Sequence, residues 1–286
     1  MERSSPTTVG VYGSATGDDG PARAAADLPG TAHAWAALEG DRALLGRVSC
    51  TLRPGLLPAR LPVLELARST VAVCSLAAAE LSSTRTGGSD VPPVRVDDGA
   101  VATSFASERH LTADGRARVA FAPFSRFWRT ADGWLRTHAN YAHHRARLLS
   151  ALGVAEQGRG DTALADAVSA ELAQRTAAEV EETVYAAGGL AVAVRAPEEW
   201  ARHPQGAEAA ARPLLSTGRL DQAPPLPLPE LVGRGALHGL RVLDLTRVIA
   251  GPVATRTLAL FGADVLRVDA PQLPESLDTH ADTGLG

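Results

Sequence analysis

The sequence predicts an α/β protein organised around a parallel strand-helix-strand unit, and three stretches carry that expectation. Between Arg241 and Asp269 an apolar run, a tight loop, a one-faced helix and a second apolar run follow one another. Between Leu61 and Asp97 a long helical stripe leads into a short alternating segment. Between Ala120 and Leu152 a hairpin signal precedes another helix and adds an antiparallel part.

Taken in order, residues 1 to about 30 are rich in Ser, Thr, Gly, Asp and Ala, bury little apolar surface and are expected to be a mobile tail. Leu64, Ala67, Val71, Cys74, Ala78 and Leu81 recur at three- and four-residue steps, so they share one helical face that Gly87-Gly88 ends. Val94 to Asp97 alternates as a strand. Ala120-Phe121 and Phe127-Trp128 flank a polar turn, and Asp132-Gly133 before Trp134 is a hairpin signal of the kind that needs positive φ at Gly133. Ala142 to Leu152 reads as a helix stopped by Gly153. Thr176 with Glu179 is a capping box for a helix through Ala187, which Gly188-Gly189 terminates. Leu190 to Val194 is a strand, and Pro197 opens a short helix with Glu198 and Glu199 in its first turn. Ala223 to Pro229, APPLPLP, lacks several amide donors and favours an extended polyproline spacer. In the last stretch Val242, Leu243 and Leu245 make a strand and Pro252 presets a helix start. Val253, Leu258 and Phe261 share that helix's inner face, Gly262 follows its end, and Ala263 to Val268 is a second buried strand.

Length and charge exclude several classes. The chain has 286 residues, is 45% hydrophobic and carries a formal charge of −4, which suits one large or two modest soluble domains. Every basic side chain is Arg, so Lys-based Schiff chemistry and a phosphate-binding P-loop are excluded, and nucleic acid is not an expected partner. Cys50 and Cys74 are too few for a disulfide scaffold and lack metal spacing. No apolar run approaches the roughly 20 residues that span a bilayer, and no signal pattern opens the chain, so a cytoplasmic location without membrane contact is expected.

The loop Thr246 to Pro252 stands at the carboxyl edge of a parallel sheet, where amides at a helix N-terminus attract phosphate. A nucleotide-bearing ligand is the first expectation, a plain structural turn the second, and the absent GxGxxG spacing argues against ordinary dinucleotides. Asp244, set among Val and Leu, must find N–H donors or a cation, with Arg247 nearest in the chain, and reads as an anchor for the loop. Asp269 follows the second strand where dinucleotide enzymes hold a ribose. His138, His143 and His144 lack the HExxH spacing and read as a wet helix start rather than a metal site. Asp97 and Asp98 point to opposite faces of a strand and read as a turn entrance; His203 reads as a cap of the Pro197 helix.

Several of these residues carry a family likeness. The runs GLRVLDLTRVIAGP, Gly239 to Pro252, and TLALFGADVLRVDAP, Thr257 to Pro271, resemble the opening of family III CoA-transferases. These are the relatives of formyl-CoA transferase, carnitine CoA-transferases and α-methylacyl-CoA racemase. Similar to later parts of the family are RTGG with VRVD, DGWLR with LLSALG, and AGGLAVAVRAPEEW with HPQG. The resemblance implies an α/β fold with a parallel nucleotide-type sheet and a smaller α+β domain, incomplete or permuted here because the opening motif stands last. A tandem member cut soon after its second copy begins is the favoured explanation, since Ala281 to Gly286 resembles the family's DTGxGK run. The expected organisation is 31–222 as the larger CoA-transferase-like part, 223–236 as linker and 237–286 as the start of a second βαβ opening.

The same resemblance implies coenzyme A, as acyl-CoA, and a free carboxylic acid as substrates, no metal, and a homodimer or complementing chain. Family members attack the thioester with an Asp before the central helix, forming an acyl-aspartyl anhydride. Leu52 to Leu64 holds no Asp, and Glu65 falls within the helical stripe, so the nucleophile is unknown. The implied CoA-binding set is Arg247, Val248, Ile249 and Ala250 in the loop with Arg267 and Ala270 after it. Ala270 matches a position often occupied by Arg, and Arg247 or Arg267 is the expected substitute cation. CoA transfer is the expected activity. A non-catalytic CoA-binding or dimerising remnant and a racemase-like isomerase using an acid–base pair are the alternatives.

Overall fold

The structure is a computed structural model describing residues 22–272 apart from 111, 114, 118–120, 157, 225–226 and 232–234. It divides into two compact units, one of residues up to Arg118 together with those from Pro213, the other of Val119–Arg212. The expectations placed on residues 1–21, and on Ala281 to Gly286, lie outside the described residues.

The first unit begins with β1 (Ala22–Ala24), a 3-10 turn, α1 (Pro29–Ala37) and a second 3-10 turn. Residues 22–30 thus hold regular structure within the stretch read from composition as tail, because Ala25 and Leu28 find a core to enter. β2 (Val48–Thr51), α2 (Val63–Arg85) and β3 (Val94–Asp97) follow, then α3 (Asp98–Phe105), the one-turn α4 (Ser107–His110), β4 (Thr112–Ala113) and β5 (Arg116–Ala117). β2 and β3 are parallel, with Val48 opposite Val94, so α2 is the crossover of a βαβ unit whose first strand is only four residues long. β1 adds an antiparallel edge.

α2 buries Ala67, Ala72, Val73, Leu76, Ala79 and Ser83. The expected stripe is therefore rotated: Ala67 is buried, but Cys74 is exposed. Small residues decide this, because an Ala and Ser face lets α1 approach closely enough for Thr31 Oγ1 to donate to Ser69 Oγ at 3.2 Å. Burying Leu76 completely stabilises the unit by roughly 1.5–3 kcal/mol.

An ion pair lies in the unit's interior. Arg68 grips the buried Asp98 through Nε at 2.6 Å and Nη2 at 2.8 Å, and the Arg53 amide donates to the same carboxylate at 2.9 Å. Asp97 faces elsewhere, accepting from Arg53 Nε at 3.0 Å and from the Gly99 and Ala100 amides. The two acids diverge because the strand ends at Asp97 and Asp98 opens α3; the expected turn is a helix start, with Asp97 as its N-cap.

The second unit holds β6 (Phe127–Arg129), β7 (Trp134–Thr137), α5 (Ala142–Ala151), α6 (Asp161–Leu172), α7 (Ala177–Ala186), β8 (Ala191–Ala193), α8 (Pro197–Arg202) and α9 (Pro204–Ala211). Its antiparallel sheet runs β6-β7-β8. Gly133 does not take positive φ, unlike the expectation from Asp132-Gly133. Four residues form the loop, closed by Thr130 N to Gly133 O at 3.1 Å and by Gly133 N to Thr130 Oγ1 at 3.0 Å, so no mirror-image turn is needed. Thr176 caps α7 by accepting from Glu179 N, while the Glu179 side chain pairs with Arg175. Leu164, Val168 and Leu172 bury one face of α6, and Trp128 Nε1 donates to buried Thr137 Oγ1 at 2.7 Å.

The first unit resumes with β9 (Arg241–Asp244), α10 (Ala250–Leu260) and β10 (Asp264–Arg267), the βαβ unit expected here, although β10, expected to be buried, alternates between exposed and half-buried residues. β9 and β10 are parallel, Arg241 opposite Asp264, and Gly262 follows the helix at φ +101°. Of the Pro-rich stretch before it, residues 225 and 226 lie outside the described residues. Arg85, in the last turn of α2, fastens this part by donating to the carbonyls of Pro229, Ala236 and His238.

Removing one member of the Arg68–Asp98 pair leaves a buried charge alone, so Arg68→Met should cost about 3–5 kcal/mol in urea unfolding, and Arg68→Met with Asp98→Leu should recover most of it. A loss under about 1 kcal/mol for the single variant would show that the pair is not a structural constraint.

Candidate functional site

The loop between β9 and α10 is shaped by one buried carboxylate. Asp244 ends β9 and is 2% exposed. It accepts from the Thr246 amide at 2.8 Å, the Thr246 hydroxyl at 2.6 Å and the Thr255 hydroxyl at 2.7 Å. The demand for donors is met from both sides of the loop: Thr246 opens it and Thr255 lies in α10. These hydrogen bonds, led by the Thr246 hydroxyl, hold the Asp244 carboxyl below the usual range against its burial, with Arg267 on the neighbouring strand adding to the effect.

The chain then turns sharply. Ile249 takes φ +54° and ψ −77°, and the Ala250 amide donates back to the Val248 carbonyl at 2.8 Å, which together make a γ-turn. Positive φ is strained for a β-branched residue, and such strain gathers at functional sites. Ile249 is also the N-cap of α10 and offers no side-chain cap. Gly251 is required because a Cβ there would meet the Thr246 side chain at 2.2 Å. Pro252, two residues inside the helix, is its buried residue.

The residues expected to hold CoA sit around this turn. Val248 and Ile249 are 56% and 65% exposed, and Ala250 and Ala270 are exposed as well. Arg247 is half-buried in the loop; Arg267, at the end of β10, donates to Asp269 through Nε at 3.2 Å. Thr246 and Thr255 were not singled out from sequence. An acid ending an apolar strand two residues before a Thr was the available signal.

Elsewhere the acids near the start of α2 are occupied. Glu65 accepts from the Gly30 amide at 3.2 Å. Burial raises the Asp97 carboxyl, but Arg53 and the Ala100 and Gly99 amides outweigh it and hold the group below its usual range. In the second unit His138, His143 and His144 gather with Tyr141, His143 and His144 rings lying 4.1 Å apart. Burial lowers the His144 pKa, helped by His143, His138 and Arg147. His203 ends α8 and also caps α9, its Nδ1 accepting from the Gln205 amide at 3.2 Å.

The strained, uncapped loop stands at the carboxyl edge of a parallel βαβ unit, where free amides at a helix N-terminus can meet an anion. This chain belongs to CoA-transferase family III, whose family model matches residues 8–222 and 237–279. It is 28% identical over 155 residues to an acyl-CoA transferase of Gibberella moniliformis, covering 52% of this chain and 27% of that protein. It is 62% identical over 37 residues to a succinyl-CoA:mesaconate CoA-transferase of Haloarcula hispanica, covering 13% of this chain and 9% of that protein. Among solved structures, a hypothetical protein of Mycobacterium tuberculosis is similar at 23% identity and a TM-score of 0.45, over 55% of this chain and 47% of its own. The matches thus span less than a third of these curated relatives.

A folded-state carboxyl held below its unfolded value contributes stability that is complete above the ordinary range near pH 4 and is lost as pH falls through the folded value. The Thr246 amide resonance should therefore move with an apparent pKa below about 3.9, and Asp244→Asn should abolish that titration. A titration at or above that value would show that the hydroxyls do not hold the carboxylate.

Proposed function

We propose that this chain binds acyl-CoA and takes part in CoA transfer from a thioester to a free carboxylic acid. The observation that supports this most is the γ-turn at Ile249 within the run that likens the chain to the family opening. In this reading the exposed backbone around Arg247, Val248, Ile249 and Ala250 meets the CoA moiety, and Arg247 and Arg267 serve its phosphates in place of the cation that Ala270 cannot supply.

The chemistry needs a carboxylate that attacks the thioester carbonyl and expels the CoA thiolate, giving a mixed anhydride. The thiolate then attacks the enzyme carbonyl of that anhydride, releasing the donor acid and leaving an enzyme-CoA thioester. The acceptor carboxylate attacks this thioester and expels the thiolate, which opens the second anhydride at the acceptor carbonyl and frees the enzyme carboxylate. Asp97, Asp98 and Glu65 are each committed to an Arg or an amide, so none is assigned as nucleophile. The reading gives that role to a complementing chain. Its support is the bare face of the βαβ unit, where the register pair Leu243 and Leu266 is 60% and 64% exposed, and Leu245 is 65% exposed. The committed carboxylates equally favour a second reading, a CoA-binding chain without catalysis of its own. A cytoplasmic setting accords with two free cysteines.

Exchange of radiolabelled CoA into acyl-CoA by the isolated chain separates the two readings; exchange only after a second chain is added supports complementation. Charge reversal, Arg247→Glu or Arg267→Glu, should weaken CoA binding about tenfold or more in calorimetry. Unchanged affinity in both would remove them from the site. Sedimentation at rising concentration should show association if the complementing chain is a second copy, and a monodisperse monomer would rule that copy out.

A further inference from the structure

A cavity of about 220 Å³ lies within the first unit, walled by α2, β3, α3 and α10. Val71, Val94, Val96, Val101, Leu260 and Phe261 are among the apolar residues of its wall. Two of its hydroxyls are already committed to helix carbonyls, Thr70 to Ala67 and Thr257 to Val253, so they leave the surface largely apolar. The pocket is partly open to solvent, and its mainly apolar lining suits an apolar guest.

Two charged residues border it, Arg95 and Asp97. They are not equivalent. Asp97 is neutralised by Arg53 at 2.9 Å, whereas the exposed Arg95 guanidinium makes no ion pair or hydrogen bond among the described residues. An apolar chamber bordered by one uncompensated cation matches an amphiphilic anion with its tail inside and its head outside. At the ~30 Å³ that a water-sized group takes in a liquid, the chamber admits roughly seven heavy atoms.

We propose that this cavity binds a short aliphatic monocarboxylate, its chain of roughly five to seven carbons between α2 and α10 and its carboxylate on Arg95. The site adjoins the end of the CoA loop through Val253, and its proposed head-group contact, Arg95, lies outside that loop. Cys74 lines the cavity and reports on it: the residue is exposed, yet the crowding around it pushes its thiol above the usual value, so alkylation is slow and sensitive to an occupant.

Hexanoate, hexanol and succinate are titrated into the chain by calorimetry, with Cys74 alkylation by iodoacetamide followed in parallel. Hexanoate should bind and slow Cys74 labelling, and succinate should do neither. Arg95→Gln should weaken hexanoate about tenfold and leave hexanol unchanged, because a charge-assisted contact alone is lost. Val71→Trp, which fills the chamber, should abolish both; if that variant fails to fold by circular dichroism, Cys74 protection in the unaltered chain decides. No hexanoate binding, no protection of Cys74, or equal hexanoate affinity in Arg95→Gln overturns the proposal. CoA affinity, measured in the same samples, should be the same in Arg95→Gln, so the two sites fail or stand separately.

Discussion

The candidate site depends on a carboxylate that water does not reach. Asp244 ends a strand whose neighbours are apolar, so its carboxylate needs partners to replace water. Its three hydrogen bonds tie the first residue of the loop to the second turn of α10. Between those fixed ends the chain has little room, and Ile249 absorbs the strain in a conformation that a β-branched residue avoids. The close passage at Gly251 is the same constraint seen from the other side. The strained turn is thus held by chemistry in the strand below it, which is what preorganises a backbone surface for a ligand.

Arginine carries the electrostatics of the first unit. Arg68 and Arg53 engage Asp98 and Asp97, and Arg85 gathers three carbonyls from the segment preceding β9. A planar fork with several donors suits both tasks, and an ammonium group would satisfy neither as well. The buried pair is better understood as a fixture of geometry than as a source of stability, because its desolvation offsets much of its attraction. It sets the path of the chain before α2 by taking the Arg53 amide as well.

Much of the fold was legible where local chemistry and packing agree. The βαβ unit at the end of the chain was marked by apolar runs, Pro252 and Gly262, and the start and stop of α7 by Thr176 and Gly188. β2 was hidden because four residues give too little periodicity, and parallel pairing to β3 across α2 is a long-range choice. The α2 face was misplaced because Ala and Ser weigh little in a hydrophobic pattern yet decide how closely α1 approaches. Gly133 was read by its dipeptide, whereas Thr130 closed a longer loop. In the site, Asp244 was recognised as needing donors, but the donors were hydroxyls set eleven residues apart in one case, a spacing that only the folded turn makes local.

Membership of CoA-transferase family III gives this geometry its meaning, and we propose that CoA rests on the Thr246 to Pro252 turn. Hydrogen exchange followed by mass spectrometry, with and without CoA, tests it most directly. The account predicts slowed exchange in the peptide spanning Thr246 to Val253. Protection confined to other peptides, or none anywhere at saturating CoA, would contradict it.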